Sequence, residues 1–307
     1  MQPLIDDYRL DILSFLKRVY PHFSDTLATP ISCLSFFSTD TTNELNHIMY
    51  EPCLCVILQG SKAVGLGKQT YGYTTNEYLL ASTHVPADIQ ITEASKELPY
   101  IGLTITFTLE DIYEVLKNTH PDKLKFQKKS DKGLFFDTMS PTLYDPIARL
   151  IKLTERSKED IAFLSPFIIK EILYVLVNEK SGYFLNKFAM EGTTSNKIVK
   201  AIAEIKTHFS EKLNLATLAK RIDMSESHLY QNFQTITSLS PIQFQKKLRL
   251  EEAKRMLSVR RIDISEVAFL VGYESPSHFS REYARMFGMP PKAYLKSLNT
   301  PMHILEN

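Results

Sequence analysis

The sequence predicts an α+β protein in which an antiparallel β-sandwich or barrel is followed by helices. Three observations support this fold class. Short β-branched and aromatic runs recur between Ile31 and Thr108, with gaps too short for crossover helices. Beyond Thr108 the apolar spacing becomes helical. The C-terminal third then contains one helix, turn and helix plan twice. A length of 307 residues with 44% apolar residues is enough for about two domains.

The β-rich segment follows residues 1–30, which are assigned to an N-terminal helical extension. Turn-forming residues separate its strands at Gln59-Gly60-Ser61, Gly65-Leu66-Gly67 and Val85-Pro86. Such regular spacing favours a small antiparallel sandwich or barrel over a parallel sheet. The predicted strands are Ile31–Phe37, Pro52–Leu58, Gln69–Tyr73, Glu77–Ser82, Asp88–Thr92 and Tyr100–Thr106.

Residues 109–192 are predicted to form a helical linker. It opens with a T-x-x-D capping pattern at Thr108, and an amphipathic helix is predicted over Pro141–Arg156. Ser165-Pro166 predicts the start of another helix, which continues to about Phe188. Because apolar residues surround that helix on all sides, it is either a buried central helix or a surface by which two chains associate.

The C-terminal repeats predict two helix-turn-helix units joined by a long helix. In the first unit, Ile222-Asp223-Met224 form the turn and Ser225 caps the second helix. In the second unit, Gly272 lies in the turn and Ser275-Pro276 starts the second helix. The joining helix, Pro241–Ser258, would be about 27 Å long, near the length of one DNA turn of about 34 Å. Seven basic residues on this helix and its exit either face phosphates or are simply solvated: Lys246, Lys247, Arg249, Lys254, Arg255, Arg260 and Arg261.

The second helix of each unit places polar residues opposite an apolar face. Leu229 and Phe233 are predicted to be buried in the first unit, and Phe279, Tyr283 and Phe287 in the second. Arginine can bind guanine and glutamine can bind adenine at base edges, and helix N-termini offer N–H groups to phosphate. The candidate DNA-binding residues are Ser225, Ser227, His228, Tyr230, Gln231, Gln234, Ser275, Ser277, His278, Arg281 and Arg285.

Charge is unevenly divided along the chain. Residues 195–297 hold 17 Lys and Arg against 10 Asp and Glu, a net charge of +7, whereas the remainder carries −6. The asymmetry fits a polyanionic partner for the basic segment, and it is equally compatible with a well-solvated domain.

Cysteine usage indicates a reducing compartment. Cys33, Cys53 and Cys55 are too few for a disulfide framework and lack zinc spacing. Cys53 and Cys55 share one face of a strand, where roles as small buried hydrophobic residues are favoured over thiol sensing of an oxidant or electrophile. The start lacks a signal-peptide pattern, and the most apolar stretch is too broken to span a membrane, so a cytoplasmic location is expected.

Two C-terminal segments carry a family resemblance. ISEVAFLVGYESPSHFSREYARMFGMPPKAYL, residues 264–295, resembles the signature of AraC-type transcription regulators, and residues 224–257 resemble the first helix-turn-helix and linker helix of that family. Gln231 stands where many members have Arg. The resemblance implies base contacts from Ser227, Tyr230, Gln231, Ser277, His278 and Arg281, a tight turn at Gly272, and core positions for Phe279, Phe287 and Pro290.

The N-terminal half resembles one branch of the same family. YEPCLCVILQGSKAVGLG and HVPADIQITEASKELPYIGL look like its cupin-like N-terminal barrel, over roughly Ile31–Leu116, and KEILYVLVNEKSGYFL fits the helices of that branch. The organisation so implied is residues 1–30 extension, 31–108 cupin-like effector-sensing barrel, 109–192 helical linker and dimerisation region, 193–299 double helix-turn-helix DNA-binding domain, and 300–307 tail.

The implied function is a ligand-responsive, sequence-specific regulator of transcription without catalytic residues or cofactor. Its expected partners are operator or promoter DNA, a small-molecule effector and a second copy of the chain, with RNA polymerase as a further candidate. The alternatives are a cupin-like metal enzyme and a protein-interaction module. A metal site is disfavoured because the barrel offers only His47 and His84, 37 residues apart and without an H-x-H pair.

Overall fold

A computed structural model describes residues 2–21, 23–43, 45–119, 132–259 and 262–299. The chain divides into two compact units, one within residues 1–199 and 235–238 and the other within residues 200–234 and 239–307. The first unit contains antiparallel sheets and helices, and the second is helical, so the predicted α+β class is confirmed. Within the described ranges, no helix combines the length and apolarity needed to cross a bilayer.

The first unit is built on two antiparallel sheets. Among the described strands, one sheet has the order β1-β2-β9-β4-β7-β10 and the other has the order β3-β8-β5-β6. The two predicted strands Gln69–Tyr73 and Tyr100–Thr106 are found with the predicted bounds, as β6 and β9. The strands are β1 Asp25–Ala28, β2 Leu34–Thr39, β3 Asn46–Tyr50, β4 Cys53–Gln59, β5 Ser61–Leu66, β6 Gln69–Tyr73, β7 Glu77–Ala81, β8 Val85–Glu93, β9 Tyr100–Thr106 and β10 Leu134–Thr138.

Two predicted turns lie within strands. Gly65 and Leu66 belong to β5, where Gly65 pairs with Asp88, so the prediction of a turn there is wrong for both residues. Val85-Pro86 begins β8 instead of separating strands. Proline is tolerated at this point because β5 pairs with β8 only from Asp88 onward, so Pro86 faces one neighbouring strand, β3.

The chain passes from the first sheet to the second at a single glycine. Gly60 joins β4 to β5 with φ +83°, and a Cβ at this residue would lie 2.4 Å from the carbonyl oxygen of Glu93. Only glycine meets both requirements. The corner brings β4 and β5 onto a shared apolar core that includes Ile57, Val64 and Leu79.

Helices complete the first unit. They are α1 Gln2–Val19, α2 Leu109–Lys117, α3 Pro141–Lys152 followed by a 3-10 turn Leu153–Glu155, α4 Lys158–Asn178, α5 Ser181–Ala189 and α6 Thr194–Thr207, the last of which continues into the second unit. The Thr108 capping box at α2 is present as predicted.

The predicted helix start at Ser165-Pro166 is wrong. Helix α4 begins about two turns earlier, at Lys158, where Ser157 accepts a hydrogen bond from the backbone N–H of Asp160. That Ser-x-x-Asp cap precedes the proline and initiates the helix first, and Pro166 is accommodated within it on an exposed position. The chain also breaks between α4 and α5 at Glu179 and Lys180, so no continuous helix extends to Phe188.

The second unit consists of helices around two small apolar centres. After α6 they are α7 Leu215–Arg221, α8 Glu226–Thr237, α9 Pro241–Val259, α10 Ile264–Leu270, α11 Pro276–Phe287 and α12 Pro291–Asn299. Phe233 packs edge-on against Phe244 in the first centre, and Phe279 and Tyr283 are fully buried in the second. Phe287 is only partly buried. Pro290 is exposed, and its carbonyl oxygen accepts from the backbone N–H groups of Ala293 and Tyr294 in α12. The core position expected for Pro290 is therefore wrong.

Gly272 is a close-approach position in this unit. Its φ is +88°, and a Cβ there would lie 2.0 Å from the carbonyl oxygen of Ser210. We expect Gly272→Ala to lower the free energy of unfolding by about 3 kcal/mol or more, because conformational strain and a backbone clash add.

Gly288→Ala is the matched control. Gly288 has φ +74° with nothing within 4 Å of an added Cβ. It should show the strain alone, about 1 kcal/mol. Chemical denaturation followed by circular dichroism measures both variants, and equal losses would show that the Gly272 contact with Ser210 is unimportant.

Candidate nucleic-acid interface and barrel cavity

Helix α8 presents one polar face and one buried face. Leu229 and Phe233 are fully buried, as the spacing predicts. The first turn is capped by Ser225, whose Oγ accepts from the backbone N–H of His228 at 3.3 Å. The residues predicted to contact DNA from this helix are all exposed: Ser225, Ser227, His228, Tyr230, Gln231 and Gln234.

Helix α11 has the same arrangement. Ser275 caps it by accepting from the backbone N–H of His278, and Pro276 occupies the first helical position. The rings of Tyr273, Phe279 and Tyr283 pack edge-on beneath the helix. The predicted contact residues Ser275, Ser277, His278, Arg281 and Arg285 are all exposed.

The two arginines of α11 differ in their side-chain contacts within the protein. Arg285 donates to Glu282 at 2.9 Å, and the same carboxylate pairs with Lys246 of α9 at 2.6 Å. These two cations lower the pKa of Glu282. Among the described residues, Arg281 has no side-chain hydrogen bond or ion pair. Arg281 is therefore the better placed of the two to bind a base.

One basic residue of α9 is internal to the unit. The Arg249 guanidinium donates to four backbone carbonyl oxygens, those of Phe209 at 2.7 Å, Ser210 at 3.1 Å, Glu211 at 2.7 Å and Gly272 at 2.8 Å. Partial burial lowers the pKa of Arg249. The expectation that Arg249 faces phosphate is wrong, because its donors are used within the protein.

Other basic residues of α9 also have protein partners. Lys246 pairs with Glu282, Arg255 pairs with Glu252 at 2.5 Å, and the Lys254 ammonium lies 4.7 Å from the centroid of the Phe287 ring. Arg260 and Arg261 lie outside the described residues. Because Lys246, Lys254 and Arg255 already have partners within the protein, they are less available for phosphate than the sequence predicted.

The first unit contains a cavity of about 410 Å³ between its sheets. Apolar side chains form much of its wall, including Phe37, Ile48, Ile89, Ile91 and Leu103. Its polar lining includes Asn43, Asn46, Tyr50, Glu51, Cys53, Cys55, Lys62, Thr104 and Thr106. A partly apolar wall with a few convergent polar groups is typical of small-molecule sites.

Cys53 and Cys55 face this cavity together. Their Sγ atoms are 3.7 Å apart, and both residues are buried, as expected from their shared strand face. The hydrogen bond from Cys53 lowers the pKa of Cys55, and the nearby Lys62 ammonium lowers it further, while the pKa of Cys53 is raised. In the sequence no Lys or Arg lies within six residues of either thiol, but the fold places Lys62 close enough to act on them.

Lys62 was missed by sequence reasoning. In β5, side chains alternate between the two faces of the sheet, and Lys62, Val64 and Leu66 lie on the same face and are all buried. That alternation was the signal that could have found it. Desolvation lowers the pKa of Lys62, because burial disfavours the charged ammonium.

The two barrel histidines are engaged separately. His47 Nδ1 lies 2.5 Å from Asp88, and His84 Nε2 lies 3.3 Å from Glu51. In the ranges that the structure describes, no group of three His, Cys, Asp or Glu side chains could hold a metal ion.

Family models match both units of the chain. The model of the AraC-type transcriptional regulator N-terminus matches residues 30–184, and a helix-turn-helix domain model matches residues 218–297. A sheet-built unit followed by two helix-turn-helix units defines the class as helix-turn-helix transcription regulators. Because the first match covers half of the sequence, the chain belongs to the AraC-type transcriptional regulators.

Individual relatives agree with this family. The HTH-type transcriptional regulator GbdR of Pseudomonas aeruginosa is 31% identical over 162 residues, which are 53% of this chain and 43% of GbdR. YobQ of Bacillus subtilis, an uncharacterized HTH-type regulator, is 33% identical over 143 residues, 45% of this chain and 58% of YobQ. The match thus spans less than two thirds of either relative.

A solved structure has the same fold. The crystal structure of an apo ToxT variant from Vibrio cholerae has a TM-score of 0.58 and 12% identity, and the match covers 90% of this chain and 100% of the ToxT chain.

The Arg249 contacts predict a specific stability effect. We expect Arg249→Met to lower the free energy of unfolding of the second unit by about 2 kcal/mol, because four charge-assisted hydrogen bonds are lost and solvent recovers part of them. Arg255→Met is the control, since Arg255 is exposed and pairs only with Glu252 one turn away. Thermal and urea unfolding measure both, and an Arg249→Met variant as stable as Arg255→Met would contradict the role assigned to these contacts.

Proposed function

We propose that the chain is a sequence-specific DNA-binding regulator of transcription, in which α8 and α11 contact bases and the N-terminal unit senses an effector. The observation that carries the proposal is that both helices expose a row of polar residues. Each has a polar face that is free of the apolar core, and each is capped by a serine at its N-terminus. Helix α9, whose 19 residues correspond to about 28 Å, lies between the two helices in the chain.

The proposed boundaries follow the sequence prediction. Residues 31–108 would form most of the effector-sensing barrel, to whose first sheet β1 Asp25–Ala28 and β10 Leu134–Thr138 also belong, 109–192 the linker and dimerisation region, and 193–299 the DNA-binding domain. The 410 Å³ cavity supports a sensing role. ToxT has been crystallised with an unsaturated fatty acid bound, but identity of 12% carries only the fold to this chain. We further propose that the protein acts in the cytoplasm and that RNA polymerase is a second partner.

Arg281 is the proposed residue for direct base recognition. We expect Arg281→Ala to weaken binding of the full chain to a site selected from random DNA by about 1–3 kcal/mol and to relax preference at one base pair. Fluorescence anisotropy against the selected site and a scrambled duplex measures both effects.

Arg255→Ala is the charge-matched control for this measurement. It also removes one positive charge, but from α9, where Arg255 pairs with Glu252. It should affect selected and scrambled DNA alike. If Arg281→Ala also weakens both duplexes equally, Arg281 contacts phosphate, and if affinity does not fall with rising salt, the DNA-binding proposal itself fails.

Helix α4 is the proposed surface for association of two chains. Ile161, Ile172, Leu173, Leu176 and Val177 are buried within the unit. The other side of the helix remains apolar and exposed: Phe163 is 68% exposed, Phe167 61% and Tyr174 51%, and the rings of Phe163 and Phe167 lie 5.5 Å apart. A second copy of α4 would cover this cluster, and a dimer would bring two DNA-binding units to one operator.

This surface predicts which substitution makes a monomer. We expect Phe163→Asp or Phe167→Asp to give a folded monomer by light scattering with unchanged helix content, because both residues are exposed within one chain. Leu176 is unsuitable for this test, since it is fully buried and its substitution would damage the core. Leu98→Asp, at an exposed loop position, should leave the dimer intact, and monomeric wild-type protein at all concentrations would refute the proposed interface.

A further inference from the structure

The barrel cavity contains a buried cation without a buried counter-ion. Lys62 is 9% exposed, and among the described residues its ammonium makes no ion pair. Burying an unpaired charge is costly, and proteins ordinarily avoid it or pair it. Strand β5 does not need a charged residue at position 62, because the rest of the same buried face is formed by the apolar side chains of Val64 and Leu66. A lysine here therefore suggests a ligand.

The groups nearest Lys62 are the ring of Tyr50 and the thiols of Cys53 and Cys55, of which Cys55 has a lowered pKa. The Lys62 Nζ lies 5.5 Å from the centroid of the Tyr50 ring, and the Tyr50 hydroxyl is buried without a hydrogen-bond partner. Cys53 and Cys55 face it from the other sheet. The acidic residue on the cavity wall is Glu51, whose side chain is 62% exposed and lies 3.3 Å from His84. The Lys62 ammonium and the unpartnered Tyr50 hydroxyl thus both belong to residues that line the cavity, whereas the Glu51 side chain is largely exposed to solvent.

We propose that this cavity binds a small organic anion, with a carboxylate paired to Lys62 and hydrogen-bonded by the Tyr50 hydroxyl, and with an apolar body against Ile48, Ile89 and Ile91. The inference rests on the proposed function only in treating the barrel as the effector-sensing unit. An anion satisfies both donors and compensates the desolvation of the ammonium, which a neutral or cationic ligand of the same shape does not. A volume of about 410 Å³ accommodates a body of the size of one aromatic ring with a short chain.

The test compares three probes that share one skeleton and differ in head-group charge. The probes are 3-phenylpropanoate, 3-phenylpropanamide and 3-phenylpropylammonium, titrated into the full chain by isothermal calorimetry. We expect 3-phenylpropanoate to bind at least about tenfold more tightly than the amide, and the ammonium to bind most weakly. Equal affinity for anion and amide, or no saturable binding of the anion, overturns the proposal.

Two variants assign the effect to this site. Lys62→Met approximately keeps the length of the side chain and removes its charge, so anion affinity should fall to that of the amide or below it. Lys96→Met removes an exposed lysine from the same unit and should leave binding unchanged. A Lys62→Met variant that retains the preference for the anion overturns the assignment.

Tyr50→Phe keeps the proposal testable if Lys62→Met does not fold. It removes a hydroxyl that has no partner, so the fold should tolerate the change. It should weaken 3-phenylpropanoate severalfold, by more than it weakens the amide, because a hydrogen bond to a charged acceptor is the stronger one. An unchanged anion affinity counts against the site.

DNA binding of the same samples separates the two proposals. Selective DNA binding with no anion preference refutes the cavity assignment alone. Anion binding that depends on Lys62, with no selective DNA binding, refutes the proposed regulatory function and leaves the cavity site standing.

Discussion

The helical unit depends on one guanidinium group. Arg249 joins the turn at residues 209–211, the body of α9 and the turn of the second helix-turn-helix through four carbonyl oxygens. Lysine could not replace it, because a single ammonium lacks the planar fork of donors that reaches several acceptors at once. Gly272 is the complementary constraint, since only a residue without Cβ lets this turn approach Ser210. Together these two residues hold the turn that precedes α11 against α9 and against residues 209–211.

The sheet unit balances stability against binding. Its apolar core between the sheets supplies burial, and Gly60 allows the chain to turn from one sheet to the other. Toward the cavity, the same interior contains an ammonium, two thiols and an unpartnered hydroxyl. Such groups lower stability when left unsatisfied, so their concentration in one cavity is more consistent with ligand binding than with packing.

The helices after the sheets are part of the first unit and not a free tether. Tyr78 of β7 donates to Ser181 of α5 at 3.2 Å, and Arg18 of α1 pairs with Glu155 beside α3. The match to the AraC-type N-terminus likewise continues to residue 184. Helix α4 is thereby held with one side in the core, which is why its aromatic residues on the other side, Phe163 and Phe167, remain exposed in a single chain.

Local patterns were enough to predict the α+β class, both helix-turn-helix units, the serine caps of α8 and α11 and the residues on their exposed faces. These features depend on periodicity and capping within about one helix length, which a sequence displays directly. The Ser165-Pro166 start failed because two local signals competed and the earlier cap at Ser157 prevailed. The role of Arg249, the exposure of Phe163 and the juxtaposition of Lys62 with Cys53 and Cys55 were decided by the tertiary structure, since each depends on contacts between segments far apart in the chain or on which helix face a neighbour covers.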